Sequence, residues 1–177
     1  MLSDSPRNRD TQAITVDVTE YANVGKKIVD LGCRCPDRMA LLPVNFESAT
    51  SITELLQASE AATVRKLFLA AGLPLDEIVD RSLRPPYLKK KSFEWVAPIL
   101  FVSAALYSQN PDLVSLALNI MGNYATEFLK GTGGTRSVKV DIVVEKRRNE
   151  TYKRISYQGP PAGLKDLSGV IREVVNE

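Results

Sequence analysis

The chain has 177 residues and none of them is histidine. Ser-His-Asp and Cys-His nucleophile activation both take an imidazole as the base, so neither is open to it. Histidine-containing zinc sites, facial-triad iron and haem on a proximal His fall for the same reason. Acid–base work would pass to Asp, Glu, Lys, Tyr or Cys. Cysteine is almost as scarce, with only Cys33 and Cys35 in Leu31-Gly32-Cys33-Arg34-Cys35-Pro36. A structural zinc takes about four ligands, and C-x-C is not the C-x-x-C of thioredoxin-like redox sites. The expectation is two reduced thiols in a turn after a helix, the alternative a thiolate assisted by Arg34. No metal, cofactor or small-molecule ligand is expected, and the balance leans away from an enzyme. Residues 1–10 have no apolar core, so a signal peptide is not expected there. Residues 1–11 are expected to form a polar tail, on a cytoplasmic protein or one at a membrane periphery.

What the chain does contain is a balance of 23 Lys+Arg against 21 Asp+Glu, with 44% hydrophobic residues and 25% charged. Wholesale disorder is therefore excluded. Ile14, Val16 and Val18 alternate with Thr15, Asp17 and Thr19, the period of a half-buried strand. Helical spacing follows at Tyr21, Val24, Ile28 and Leu31, with Gly32 as the C-cap candidate. Met39–Leu42 reads as an edge strand or packed loop stopped by Pro43. Ser51-Ile52-Thr53-Glu54 fits a capping box that would open a helix at Ile52. A second helical phase runs through Val64, Leu67, Phe68 and Ala71 to Gly72, and a short turn of helix is expected over 76–81.

The middle of the chain has no charged residue from Trp95 to Pro111, nor from Leu113 to Thr126. Asn110-Pro111-Asp112 is a good helix start, with Asn as N-cap, Pro first and an acid in the first turn. A helical hairpin over 92–130 is therefore expected, its second helix spanning Pro111 to about Leu129. Val138, Val140, Ile142 and Val144 then alternate with Lys139, Asp141, Val143 and Glu145. Residues 146–150 turn the chain back into Tyr152–Tyr157, and Leu164, Leu167, Ile171 and Val174 mark a last amphipathic helix. The strong strands lie at the two ends of the chain, which favours an α+β fold. The expected architecture is a single domain over 12–177. Its sheet is small and mostly antiparallel, pairing the N-terminal strand with the C-terminal β-hairpin. Helices 20–31 and 162–175 would lie on one face, and the apolar helical hairpin would form a second layer or an arm.

Three surfaces compete for function. A helix apolar most of the way round must be buried, associated or in lipid, and 13 residues from Trp95 to Tyr107 are too few for a membrane span. The leading expectation is thus a non-enzymatic interaction or regulatory protein. It would self-associate or bind a protein partner through Trp95, Phe101, Leu106, Leu113, Leu118, Met121 and Phe128. The first alternative is a nucleic-acid-binding module. Lys130 to Gln158 holds eight Lys/Arg against three Asp/Glu, +5 in a chain of net +2. Lys146, Arg147, Arg148, Lys153 and Arg154 would meet phosphates there. The second alternative places Lys89–Tyr107 at a membrane surface. Gly131-Thr132-Gly133-Gly134-Thr135 precedes a strand rather than opening a helix and reads as a linker. Lys139, Asp141 and Glu145 share a strand face, which a solvated sheet surface already explains.

Overall fold

A computed structural model describes residues 13–89, 95–131, 137–148 and 150–177. The tail 1–11, the loop 132–135 and the start of the first hairpin helix at 92–93 lie outside them. The sheet is larger than the sequence suggests, and mixed. Among the described residues it has six strands: β1 Thr15–Glu20, β2 Met39–Leu42, β3 Leu75–Asp76, β4 Ile99–Val102, β5 Val138–Arg147 and β6 Thr151–Gly159. Their spatial order is β1-β6-β5-β4-β2-β3. β1 pairs antiparallel with β6, as the ends-of-chain pattern suggested, and β6 with β5. β5 then runs parallel to β4, and β2 lies antiparallel to β4 and parallel to β3.

The helices are α1 Val24–Asp30, α2 Ala61–Ala70, α3 Ala104–Gln109, α4 Pro111–Leu129 and α5 Leu167–Asn176. α1 ends as its sequence directs. Gly32 adopts φ +72° and donates to Val29 O, and Cys33 donates to Ile28 O, a Schellman turn. α2 ends identically at Gly72. The helix expected from Ile52 is a single 3₁₀ turn. Glu54 reaches back to the N–H and hydroxyl of Thr50, and Ser51 makes no capping bond. Instead of opening a helix over 76–81, Asp76 lies in β3, where its carboxylate accepts from the Arg38 guanidinium (2.9 Å) and from the N–H groups of Asp37 and Arg38.

The largest correction concerns the helical hairpin. Its second helix is α4, with the expected bounds and Pro in the first turn, although Asn110 caps it without a side-chain bond. Most of its first helix is absent. Ile99-Leu100-Phe101-Val102 is a central strand buried on both faces, and only α3 remains helical after it. A continuous apolar run suits a strand sandwiched between layers as well as it suits a buried helix.

Both faces of the sheet are covered. On one, Leu100, Val102, Val140, Ile142, Val144, Ile155 and Tyr157 pack against α2, α4 and α5. On the other, Ile99, Phe101, Val143 and Tyr152 pack against α1 and the segment from Phe46 to Leu55. Helices α1 and α5 therefore lie on opposite faces, not on one. α4 is wedged into the first layer: Leu118, Met121 and Ala125 face the core, and Tyr124 donates to Glu60, the N-cap residue of α2, and stacks edge-on with Trp95 at 5.8 Å. Its row of small residues is also occupied. Ser115 bonds Ser168 (3.0 Å), and a Cβ on Gly122 would sit 3.0 Å from Pro161 O.

Candidate functional site

The seven residues expected to present an apolar partner surface do not form one. Trp95, Phe101, Leu106, Leu118 and Met121 are buried, and Leu113 and Phe128 are half-buried against the same core. Phe101 lies on the opposite side of the sheet from Leu118. Three layers supply more cover than the small antiparallel sheet expected from the sequence, so the greasy segment is hidden inside one chain.

The basic hairpin is divided as well. In β5 and β6, Lys146 and Lys153 point to the α4/α5 face, whereas Arg154 shares the other face with Val143 and Tyr152. Lys153 pairs with Glu20, Lys146 lies 3.8 Å from Glu177, and Arg154 lies 3.5 Å from Glu47 and over the Tyr21 ring. Arg147 and Arg148 are exposed at the turn. A backbone-tracking groove needs adjacent cations on one face, and these five do not make one.

A crevice of about 350 Å³ opens at the carboxyl ends of the parallel strands β4 and β5, between Cys35, Ser103, Glu145 and Arg148. Open α/β sheets often bind ligands at such a place. Here, however, the polar groups face inward. Ser103 Oγ donates to Asp37 O (2.7 Å) and accepts from Leu106 N–H (3.1 Å). Buried Glu145 accepts from Ala104 N–H (3.0 Å) and from the Tyr152 hydroxyl (3.2 Å), which itself accepts from Gly25 N–H (3.2 Å). Glu145 therefore ties α3 and α1 to the end of β5.

Arg34 does not assist a thiolate, because its guanidinium is 3.2 Å from Asp80. Burial pushes both thiols up, Cys35 further helped by Asp37 and Glu145. Both cysteines should accordingly alkylate several-fold more slowly than a free thiol in an iodoacetamide time course at pH 8. Faster reaction than the free thiol would show an activating cation. Among the described residues, no group of three or more Cys, Asp or Glu could hold a metal ion, and no helix is long and apolar enough to cross a membrane.

The strand β1 is different. All six of its residues are exposed, although its pattern reads as half-buried. Ile14 (60%), Val16 (38%) and Val18 (43%) form a row on one face, opposite Tyr157 and Ile155 in register. The backbone has a direction too. Tyr21 N–H donates to Tyr152 O (3.1 Å), making that pair hydrogen-bonded. Alternation along the ladder then aims Thr19, Asp17 and Thr15 at β6, and turns the N–H and C=O groups of Val18 and Val16 outward. The opposite edge, β3, is two residues long, with the Asp76 carboxylate engaged beside it. Sequence reasoning found the strand but not its exposure. Comparison with protein-family models, curated proteins and solved structures returns no match to this chain.

Proposed function

We propose that this protein is an interaction protein that holds its partner by strand addition to β1, not through the apolar helix pair. Edge strands are ordinarily blunted by Lys, Pro, a bulge or shortness. Thr15-Val16-Asp17-Val18-Thr19-Glu20 has no Lys, Pro or Gly, runs six residues and pairs with β6 without a register shift; of its two charges, Glu20 is paired with Lys153 and Asp17 lies on the face away from the valines. The observation that carries the reading is the coincidence of outward backbone groups and outward apolar side chains at Val16 and Val18. Main-chain bonds would supply affinity, and the Ile14/Val16/Val18 row would select an apolar alternating partner.

Hydrogen exchange tests it. In tagged protein recovered from an extract of its native cell, the Val16, Val18 and Glu20 amides should exchange at least about tenfold more slowly than in dilute pure protein. Val18→Lys should abolish the slowing while leaving the fold intact. Free exchange of these amides under both conditions would end the reading.

A further inference from the structure

We infer that the strand added to β1 is the β1 of a second copy, antiparallel and centred on Val16, so that two sheets become one of twelve strands. This rests on the strand-addition reading and names its partner. A two-fold axis perpendicular to the sheet keeps each residue on its own face. A symmetric antiparallel pair must then be centred on a residue, and the candidates are Val16, Asp17 and Val18. Centring on Asp17 sets two aspartates opposite each other and Ile14 opposite Glu20, a like-charge pair plus a charge against an aliphatic chain. Centring on Val18 opposes Val16 to Glu20 of the second copy. Centring on Val16 avoids both: Ile14 meets Val18 of the second copy, Val16 meets Val16, Thr15 meets Asp17, and Ala13 meets Thr19.

In that register the apolar row closes on itself, and Asp17 faces a hydroxyl that can donate to it. Val16, whose N–H and C=O point outward, becomes the hydrogen-bonded central pair. Val16 and Val18 of β1, and Ile14 just before it, are thus covered on the face that already carries α4 and α5. β1 is in this sense complementary to itself, which is what points to a second copy.

The test uses the full chain. Light scattering of pure protein at tens of micromolar should give a dimer. Val16→Lys, which sets two lysines opposite each other, should raise the dissociation constant about tenfold or more with an unchanged circular-dichroism spectrum and, at dilutions where both proteins are monomeric, an unchanged melting temperature. In a Cys33→Ser, Cys35→Ser background, mild oxidation should join Val16→Cys chains as a disulfide, because paired Cα atoms lie roughly 5.5 Å apart in such a pair. Val18→Cys chains, offset by four residues, should stay monomeric on the gel.

Equal cross-linking at the two positions, or preference for position 18, overturns the register. A dimer that Val16→Lys leaves intact overturns the surface. A chain monomeric at all concentrations, whose Val16 and Val18 amides nevertheless slow in cell extract, overturns the second copy but leaves strand addition standing. Amides that stay fast in both settings remove both.

Discussion

Leu118→Asp yields no folded protein. Leu118 is fully buried between α4 and the sheet, and an unpaired carboxylate there costs several kcal/mol. Domain stabilities of roughly 5–15 kcal/mol leave little after such a loss. Leu118→Ala is the graded version, expected to cost about 2–5 kcal/mol by lost transfer energy and the cavity left behind. Phe101→Ala, on the other side of the sheet, should cost about 3–5 kcal/mol. Urea titration followed by circular dichroism measures the two alanine variants, and the spectrum without urea reports the aspartate one. If α4 presented Leu118 to a partner instead, the aspartate variant would keep its native spectrum and lose only association. That outcome would contradict the layer packing.

Glu145→Ala should destabilise by about 2–4 kcal/mol, because it strands two donors at once, the Ala104 N–H and the Tyr152 hydroxyl. Tyr152→Phe should cost less, about 1–2 kcal/mol, since it removes one hydroxyl that serves Glu145 and Gly25. The double variant should be milder than the sum, because the two residues share a bond. The pair also has a pH signature. Burial first, and the Glu145 charge after it, push the Tyr152 phenol from its ordinary 10.0 up to about 12. The fold therefore favours the protonated phenol. That contribution is complete below pH 10 and fades as pH rises from about 10 to about 12. Tyr152→Phe should flatten this alkaline limb of the stability curve, measured by urea midpoints between pH 8 and 11.

Much of the frame could be read from the residues alone. Alternation of Val138, Val140, Ile142 and Val144 placed β5 and identified the face that packs on the helices α4 and α5, while Val143 is buried on the other side. The Asn110-Pro111-Asp112 start placed α4, and positive-φ glycines closed α1 and α2. The pairing of β1 with the C-terminal hairpin followed from the weakness of an isolated hairpin. What failed did so where periodicity is silent. Ile99-Leu100-Phe101-Val102 is apolar at every position because both of its faces are covered, and neither period two nor period 3.6 shows in such a run. Its shortness, and a Pro just before it, were the available signals for a strand. That one misassignment turned a central strand into half of a greasy arm, whose expected contact residues are instead buried or half-buried in the core. The true exposure of Ile14, Val16 and Val18 was illegible for the converse reason. Their alternation is that of a strand with one face on a core, and nothing local says that the core stops short of it.

Among the described residues, the strand that pairs with β1 is the last of the sheet, 151–159. During synthesis, therefore, residues 15–20 leave the ribosome with nothing to pair with until about 130 further residues have been translated. Closing so long a loop is slow, and through that interval the same outward valines lie bare beside those of neighbouring nascent chains. A sequence that keeps them free of lysine and proline must tolerate this hazard at every round of translation, and chaperone demand should be greatest before 151–159 emerges.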